Sequence, residues 1–293
     1  MKRKILILGG EGLLGRDLTH YLMEYENFEV TSLGRKKADI TDLKELDSLW
    51  QTIMPQFVIN CGAYTNVDLA EKERDLCKKI NVNAVQNLIF LSSKYKTKLI
   101  QISTASVLGS NKQEELSNNA KQSPVNYYSE TKAMAENLCN EYLNQGGSVY
   151  ALRTYWLYGK KNSDFVSFVR KSLEEKNNTR IVSDQFGQPT STFIVFKIVQ
   201  LVLNQEILPG IYPSTASGSA SRLEWAYKIA DILDLDQKYL IPVLSREFQA
   251  AAIRPVNATL SHEIWHKQKL TISKWDEGLG EFLNGITGYA KFK

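Results

Sequence analysis

A glycine-rich turn near the amino terminus constrains the fold more than any other feature of this sequence. The apolar run Ile5–Leu8 leads directly into Gly9-Gly10-Glu11-Gly12-Leu13-Leu14-Gly15, after which apolar residues recur at helical spacing. Glycines let the backbone turn tightly and approach a pyrophosphate, and the helix N-terminus offers free N–H groups to phosphates. The turn therefore predicts a dinucleotide-binding unit, read either as G-x-G-x-x-G from Gly10 or as G-x-x-G-x-x-G from Gly9.

The first half of the chain alternates short β-rich runs with longer segments of helical apolar spacing. Such alternation is typical of a parallel sheet with helices on both faces. We therefore expect an α/β fold with a doubly wound, Rossmann-type parallel sheet. The predicted strands are Lys4–Gly9, Phe28–Leu33, Phe57–Asn60, Lys98–Thr104 and Val149–Thr154, and the predicted helices are Leu13–Tyr25, Leu43–Ile53, Ala70–Tyr95 and Tyr128–Asn144.

The alternation loosens after about residue 155, which indicates two lobes in this chain of 293 residues. We predict a dinucleotide-binding Rossmann domain over residues 1–155 and a mainly substrate-binding C-terminal lobe over residues 156–293. A helix at Phe193–Asn204 and a strand at Gly210–Tyr212 are expected to return to the sheet, at about residues 191–212. The polar stretch Gly109–Val125 is the longest predicted loop, and loops of that length are often functional.

Charge and composition exclude several classes of partner. The formal net charge is only +4 and the basic clusters are scattered, so we expect no nucleic-acid partner. No apolar run reaches the roughly 18 residues of a membrane span and no cleavable signal region is recognisable, so we expect no membrane partner. The 3 cysteines have no paired spacing, which indicates reduced thiols. Together these features predict a cytoplasmic protein.

The end of the second predicted strand bears on which dinucleotide is bound. NAD sites usually place an acidic residue about 20 residues past the glycines, where it holds the ribose 2′-hydroxyl. Here the sequence reads Leu33-Gly34-Arg35-Lys36-Lys37, with no acid in reach. Arg35 and Lys36 suit a 2′-phosphate through charge-assisted hydrogen bonds, which favours NADP(H) as the cofactor. A basic surface turn is the alternative interpretation.

A tyrosine and a lysine one helical turn apart follow the fourth predicted strand. Tyr128 and Lys132 are spaced i, i+4 and project from one helical face. A free phenol has a pKa of about 10, and we expect the adjacent ammonium to lower it, making Tyr128 a usable proton donor. The strand ends in Ser103-Thr104, at the edge where ligands bind in such sheets. Thr104 is thus placed to hydrogen-bond a carbonyl oxygen from the side opposite Tyr128.

Several further strings carry a family resemblance over nearly the whole chain. The chain resembles the extended short-chain dehydrogenase/reductase family in its glycine turn and in Asp39-Ile40-Thr41-Asp42, Asn60-Cys61-Gly62-Ala63-Tyr64-Thr65, Val67-Asp68-x-Ala70-Glu71, Val82-Asn83-Ala84, Ser103-Thr104 and Tyr128-x-x-x-Lys132. It is similar to the dTDP-4-dehydrorhamnose reductase branch in Arg153-Thr154-x-Trp156-x-Tyr158-Gly159, Asp184-Gln185-x-Gly187-x-Pro189-Thr190 and Arg254-Pro255-x-Asn257. The resemblance implies NADPH-dependent reduction of the C4 keto group of a nucleotide-linked 4-dehydro-6-deoxyhexose, with dTDP-4-dehydro-L-rhamnose as the first expectation.

The glycine turn, the basic turn and the resemblance together assign expected roles to individual residues. The implied catalytic residues are Thr104, Tyr128 and Lys132. The cofactor is expected at Gly9, Gly12, Leu13, Leu14, Gly15, Arg35, Lys36, Asp39, Ile40, Gly62, Ala63, Tyr64, Tyr128 and Lys132. The nucleotide-sugar substrate is expected at Val67, Asp68, Ser106, Trp156, Asn162, Phe165, Gln188 and Thr190. Some relatives form magnesium-linked dimers, so a homodimer and bound magnesium stay open, although the sequence identifies no metal ligands.

The chain departs from the family pattern directly after Thr104. The family string usually continues with an acid and two aromatic residues, where this chain has Ala105-Ser106-Val107-Leu108. These positions are expected close to the hexose, so the nucleotide and the sugar stereochemistry stay open. Two alternative functions also stay open: a sugar-nucleotide epimerase or dehydratase that regenerates its cofactor, and a non-catalytic NADP-binding regulatory subunit.

One motif points to a different chemistry. His262-Glu263-Ile264-Trp265-His266 matches H-E-x-x-H, the zinc-protease pattern of two ligands and a general base. No third ligand is recognisable, because His20 is the only other histidine. We therefore predict a helix with a buried Trp265 at this place and no metal site.

Overall fold

The computed structural model describes residues 2–110, 115–160 and 164–285. Its strands are β1 (Arg3–Leu8), β2 (Phe28–Leu33), β3 (Phe57–Asn60), β4 (Lys98–Thr104), β5 (Val149–Thr154), β6 (Leu157–Tyr158), β7 (Thr179–Val182), β8 (Phe186–Gly187), β9 (Thr190–Ser191), β10 (Gly210–Pro213), β11 (Ala220–Ser221) and β12 (Leu240–Val243). Six of them form one parallel sheet in the order β10-β5-β4-β3-β1-β2. The predicted Rossmann-type α/β class is confirmed.

The α-helices cover both faces of this sheet and build a second lobe beside it. They are α1 (Leu13–Met23), α2 (Leu43–Ile53), α3 (Val67–Ala70), α4 (Arg74–Lys78), α5 (Ala84–Tyr95), α6 (Tyr127–Asn144), α7 (Phe165–Glu174), α8 (Thr192–Leu203), α9 (Arg222–Ile232), α10 (Glu263–Lys267) and α11 (Trp275–Leu283). Within the described ranges, none of these helices combines the length and apolarity that crossing a membrane requires.

Neighbouring residues of β1 face different layers of the molecule. Ile5 and Ile7 belong to a core with α1 and α8, whereas Leu6 and Leu8 belong to a core with α2, α5 and α6. All four side chains are fully buried, which explains why this strand is apolar throughout instead of alternating. The sheet is therefore the middle of three layers, and its carboxyl edge is left to the loops.

The sheet changes winding direction between β1 and β3. From β1 the chain passes first to β2 on one side, and later to β3 on the other. The loops after β1 and β3 nearly touch: Gly9 has φ +75°, and a Cβ atom built on it would lie 2.6 Å from the Gly62 nitrogen. Ligands of open α/β sheets bind at such a switch point, so this contact marks where a cofactor site is expected.

The second lobe has a core of its own. Residues of α7, α9 and α11 pack there around the buried Trp225, together with Tyr158 of β6 and Ile181 of β7. In contrast, α8 lies in the sheet core and β10 pairs in parallel with β5, although both follow the start of this lobe in sequence. Residues of the sheet and residues of the second lobe therefore both line the cleft between them.

The single helix predicted over Ala70–Tyr95 is wrong. The segment instead forms α3, α4, a π-helical turn at Lys79–Asn83 and α5. The π turn holds the buried Asn81, whose Oδ1 accepts from the Tyr64 N–H at 2.8 Å and whose Nδ2 donates to Thr131 Oγ1 at 3.0 Å. Apolar spacing continues through these breaks, so periodicity alone cannot detect them.

Candidate active site

A cavity of about 410 Å³ opens at the switch point of the sheet. Gly9 and Gly12 line it, whereas the Gly10 N–H is turned toward β2 and donates to the Leu33 carbonyl at 3.0 Å. The structure therefore favours the spacing that begins at Gly9. The remaining lining residues are Glu11, Gly34, Arg35, Ala38, Asp39, Ile40, Cys61, Gly62, Ala63 and Ile80.

The N-terminus of α1 faces this cavity through its N-cap residue, Gly12. No side chain caps the helix there, and its first turn holds no acidic residue. Its first N–H groups are thus not taken by a cap, as an anion site requires. Of the other predicted contacts in this turn, Leu14 is buried in the core, and a Cβ on Gly15 would lie 2.3 Å from the Gly9 carbonyl oxygen. Leu13, Leu14 and Gly15 therefore shape the turn and do not line the cavity.

The structure separates the two predicted phosphate-binding cations. Both side chains are exposed, but Arg35 lines the cavity and Lys36 does not. Asp39 and Ile40 form another part of the wall. The Asp39 carboxylate accepts from the Thr41 N–H at 2.9 Å and from its hydroxyl at 2.8 Å. The Thr41 N–H bond, with the nearby Arg35 charge, lowers the pKa of Asp39, so this wall carries a fixed negative charge beside Arg35.

The loop after β3 forms the opposite wall. Gly62 and Ala63 line the cavity, but Tyr64 does not. The Tyr64 backbone is held by Asn81, as described above, and its hydroxyl donates to Glu73 Oε2 at 2.6 Å. This hydrogen bond raises the pKa of Tyr64 to about 12. The phenol thus anchors the loop to the N-terminus of α4.

A second cavity, of about 260 Å³, lies at the carboxyl ends of β4 and β5. It brings together five predicted site residues from four separate segments: Thr104, Ser106, Tyr128, Val67 and Trp156. Sequence analysis did not assign the other residues that line it, which are Thr65, Asn126, Ser129, Thr154, Tyr155, Leu157, Gln185, Arg222, Arg254 and Pro255.

Lys132, one helical turn after Tyr128 on α6, is buried and does not line this second cavity. Its Nζ donates to the Ile102 carbonyl of β4 at 2.6 Å, which ties α6 to the sheet. Burial lowers the pKa of Lys132 to about 8. Burial also raises the pKa of Tyr128, with further contributions from Cys77 and Tyr155. The expected lowering of the Tyr128 pKa by Lys132 is therefore wrong, because loss of solvent around the phenol is the main effect on this pKa and Lys132 is not among the groups that shift it.

Thr104 ends β4 with its side chain turned toward the cavity. Its hydroxyl shares a hydrogen bond with the Ser106 hydroxyl at 2.9 Å and accepts from the Ser106 N–H at 3.3 Å. Both residues are more than nine-tenths buried. Ser106, two residues after Thr104, is therefore a direct hydrogen-bond partner of the predicted catalytic hydroxyl.

The N-terminus of α6, which carries Tyr128, is held by residues that sequence analysis missed. Asn126 caps the helix by accepting from the Ser129 N–H at 2.8 Å, and its Nδ2 donates to the Ile253 carbonyl at 2.7 Å. Glu71 Oε1 accepts from the Tyr127 N–H at 2.8 Å. An asparagine directly before a helix is a recognisable N-cap signal, so Asn126 could have been found. Its contact with Ile253 could not.

Comparison with known proteins identifies the family of the chain. Residues 3–287 match the family described as RmlD substrate binding domain. The chain belongs to this family. Its relatives place it in the dTDP-4-dehydrorhamnose reductase branch of the extended short-chain dehydrogenases/reductases.

Two relatives and one solved structure illustrate the similarity. A dTDP-4-dehydrorhamnose reductase of Streptomyces griseus is 30% identical over 290 residues, 97% of this chain and 94% of the relative. A dTDP-4-keto-6-deoxy-D-glucose reductase of Streptomyces niveus is 28% identical over 281 residues, 95% and 96% of the two chains. The crystal structure of dTDP-4-dehydrorhamnose reductase from Bacillus anthracis in complex with NADP has a TM-score of 0.90 and 30% identity, covering 97% of this chain and all of that one.

Asp68, a predicted substrate contact, does not line the second cavity and pairs with Arg254 instead. Its carboxylate accepts two hydrogen bonds from Arg254, at 2.7 and 2.6 Å, and one from the Ala252 N–H at 2.9 Å. Arg254 itself lines the second cavity. The guanidinium lowers the pKa of Asp68 to about 2, so Asp68 orients Arg254 as a permanently ionised partner.

Trp156 is held in a strained backbone conformation at the cavity wall. Its φ is +45°, in the left-handed region that a bulky residue seldom adopts. Its ring stacks against Tyr155 at 5.3 Å and Trp225 at 5.8 Å between ring centroids. Phe165 reaches the same aromatic group by packing on Trp225 at 4.6 Å, but does not line the cavity.

Gln188 and Thr190, two of the predicted substrate-binding residues, are fully buried and hydrogen-bonded within the protein. Gln188 Oε1 accepts from Thr215 Oγ1 at 2.9 Å and from the Leu260 N–H at 2.9 Å, and Gln188 Nε2 donates to the Leu260 carbonyl at 3.0 Å. Thr190 donates to the Gln188 carbonyl at 2.8 Å. Neither side chain lines the second cavity, because their polar atoms are used within the protein. Asn162 lies outside the described residues.

The H-E-x-x-H string has ordinary structural contacts. His262 is buried with its Nε2 3.0 Å from Thr215 Oγ1, Glu263 pairs with Lys267, and Trp265 is fully buried with its indole N–H bonded to the Pro213 carbonyl. Burial lowers the pKa of His262 to about 4. Among residues 2–110, 115–160 and 164–285, no three His, Cys, Asp or Glu side chains are grouped to hold a metal ion.

Proposed function

We propose that this protein reduces the C4 keto group of a nucleotide-linked 4-dehydro-6-deoxyhexose with NADPH, as in the conversion of dTDP-4-dehydro-L-rhamnose to dTDP-L-rhamnose. The observation that carries the proposal is the meeting of Thr104 and Tyr128 in one cavity, with the buried Lys132 behind them. Membership of the reductase branch supports it. Because the Tyr128 phenol and the Thr104 hydroxyl belong to residues that line the same cavity, both can donate a hydrogen bond to one carbonyl oxygen of a substrate bound there.

The residues of the first cavity fit a dinucleotide. The uncapped N-terminus of α1 suits a pyrophosphate, and Gly9 allows the close approach of the loops after β1 and β3 that line the cavity. Arg35 would pair with a 2′-phosphate, and Asp39, Ile40, Gly62 and Ala63 would enclose the rest. The NADP named in the Bacillus anthracis structure supports this cofactor. When bound, NADPH supplies the hydride.

The chain's own residues then manage the oxygen of the keto group. Tyr128 keeps its proton at neutral pH, since a free phenol has a pKa of about 10 and burial raises that of Tyr128 further, so its hydroxyl can donate to the oxygen as negative charge develops. Lys132 carries a positive charge below about pH 8 and favours the proton transfer. Thr104 offers a second donor when its hydroxyl accepts the hydrogen bond that it shares with the Ser106 hydroxyl, and this contact fixes the Thr104 rotamer. This pair of donors stabilises charge that appears only in the transition state.

We further propose that the two lobes divide the work, with residues 1–155 and the returning segment at about 191–212 binding NADPH and the remainder binding the sugar nucleotide. Val67, Ser106 and Trp156 line the cavity on the substrate side. Because the reaction consumes NADPH and a nucleotide sugar, we place the protein in the cytoplasm. A homodimer is a separate expectation that sedimentation would test.

The decisive experiment is an NADPH-oxidation assay with a panel of nucleotide 4-keto sugars, followed by determination of product stereochemistry. We expect one NADPH oxidised per hexose reduced, with dTDP-4-dehydro-L-rhamnose the preferred substrate. The D-glucose-derived isomer belongs in the panel, because a relative is named for its reduction. Isomerised or dehydrated product without NADPH loss would identify an epimerase or dehydratase. Cofactor binding without reduction of any sugar would identify a regulatory subunit.

A further inference from the structure

An arginine at the start of α9 lies against the aromatic wall of the second cavity. The guanidinium carbon of Arg222 is 4.1 Å from the ring centre of Trp156, 4.9 Å from that of Phe165 and 5.5 Å from that of Trp225. Arg222 also lines the cavity that holds Thr104 and Tyr128. Aromatic contacts therefore fix the plane of the guanidinium while part of it faces the cavity.

Among the described residues, the Arg222 guanidinium has neither an ion pair nor a hydrogen bond. The other arginine of the cavity wall, Arg254, is already neutralised by the Asp68 carboxylate. Glu224, two residues after Arg222, accepts from the Ser221 N–H. Asp184, which precedes the Gln185 whose carbonyl accepts from the Arg222 N–H, accepts from Ser245. Arg222 thus brings an uncompensated positive charge to the cavity.

Burying such a charge is costly unless something pairs with it. Burial and the charge of Arg254 lower the pKa of Arg222 to about 10, yet the group stays protonated at neutral pH. Arg222 is partly exposed, so the penalty for leaving its guanidinium unpaired is smaller than for a fully buried group but is still present. A ligand that carries negative charge into this cavity would remove the penalty, and a planar fork is suited to two oxygens of one anion.

We propose that Arg222 is the anion subsite for the diphosphate of the sugar nucleotide. This inference rests on the proposed function, which supplies a substrate with a diphosphate between nucleoside and hexose. Aromatic rings hold the back of the guanidinium, and its N–H groups bind phosphate oxygens. The subsite lies in the same cavity as the catalytic hydroxyls, so binding of the diphosphate would help to set how far the hexose reaches toward Tyr128.

The test compares binding of dTDP and of thymidine to the full-length chain by isothermal titration calorimetry. Arg222→Met keeps the aliphatic volume and removes the charge, and Arg222→Lys keeps the charge without the fork. Arg170→Met is the matched control, since Arg170 is exposed on α7 and pairs with Glu174. We expect Arg222→Met to weaken dTDP binding about tenfold or more and thymidine binding less than about twofold. We expect an intermediate loss in Arg222→Lys and wild-type binding in Arg170→Met.

Two results would overturn the subsite. One is unchanged dTDP affinity in Arg222→Met; the other is an equal loss for dTDP and thymidine, which would mean that Arg222 only packs the aromatic wall. Circular dichroism and NADPH titration of the same variants separate either result from misfolding. The subsite and the proposed reaction fail separately, because a chain that binds dTDP through Arg222 but oxidises no NADPH would retain the former and lose the latter.

Discussion

The Asp68 carboxylate and the Arg254 guanidinium join α3 to the segment that closes the second cavity, through hydrogen bonds of 2.7 and 2.6 Å. We expect Asp68→Asn to raise KM for the sugar nucleotide several-fold and to leave NADPH affinity unchanged, because Arg254 loses its orientation. Both groups are partly exposed, so the loss in unfolding free energy should stay below about 1 kcal/mol. Steady-state kinetics and urea unfolding measure the two effects. A lower NADPH affinity would contradict this role.

The same pair sets an acid limit. The pKa of Asp68 is lowered from 3.8 to about 2 in the folded protein, so its stabilising contribution is present above pH 4. It is lost as the pH falls from about 4 toward 2. Unfolding of wild type and Asp68→Asn should therefore differ at pH 5 and converge near pH 2.

Removal of the proposed proton donor should stop turnover and spare cofactor binding. Tyr128→Phe keeps the ring and loses the hydroxyl, so we expect kcat to fall about 10²- to 10⁴-fold, the range for general acid catalysis. Tyr127→Phe is the matched control, because Tyr127 precedes it and packs on Arg74 at 4.6 Å. Fluorescence titration with NADPH should give wild-type affinity for both variants. Weak NADPH binding with residual turnover in Tyr128→Phe would count against the assignment.

The pH dependence should report the buried lysine. Lys132 has a pKa of about 8, while that of Tyr128 is raised, so we expect kcat for reduction to be level between pH 6 and 7 and to decline above about pH 8. The contribution of Lys132 to the free energy of unfolding should instead increase as the pH rises above about 8. Because the Lys132 pKa is lowered from 10.5 on folding, the unfolded chain binds more protons between pH 8 and 10.5, and the free energy of unfolding gains from Lys132 across that window. Profiles of kcat against pH for wild type and Lys132→Met test the kinetic expectation. If the decline above about pH 8 persists in the variant, a group other than Lys132 is responsible for it.

Cofactor choice should depend on Arg35 far more than on Lys36. Arg35 lines the first cavity and Lys36 does not, so Arg35→Ala should weaken NADPH binding about tenfold or more while leaving NADH binding within about twofold. Lys36→Ala is the neighbouring control and should change NADPH binding less than about threefold. Equal losses in the two variants would point to a general basic field instead of one phosphate contact.

The close approach of the loops after β1 and β3 predicts a sharp contrast between two glycines. Gly9→Ala places a methyl group 2.6 Å from the Gly62 nitrogen at a φ of +75°, so it should cost about 1–3 kcal/mol of stability and abolish NADPH binding. Gly280 lies inside α11, and apart from the helix's own backbone no atom of the described residues lies within 4 Å of a built Cβ, so Gly280→Ala should gain about 0.5–1 kcal/mol. Urea unfolding measures the stability of both variants. A Gly9→Ala variant that is stable and still binds NADPH would contradict the proposed role of this close approach in cofactor binding.

Much of the sheet could be predicted from local pattern. The strands expected at Phe28–Leu33, Phe57–Asn60, Lys98–Thr104 and Val149–Thr154 have those bounds in the structure. A central parallel strand such as Phe57–Asn60 is buried on both faces and is a short apolar run in the sequence itself, so its neighbours need not be known. The glycine turn likewise predicted the place of the first cavity, because the backbone freedom that the turn needs belongs to the glycines alone.

Tertiary structure decided what surrounds each side chain. Sequence spacing placed Tyr128 and Lys132 on one helical face, but only the fold buries the phenol enough to raise its pKa. Likewise, only the fold turns Gln188 inward and lays Arg222 against Trp156. Periodicity and turn chemistry depend on residues a few positions apart, and these the chain encodes directly. Desolvation, partner choice and uncompensated charge depend on segments far apart in sequence, which meet only when the chain has folded.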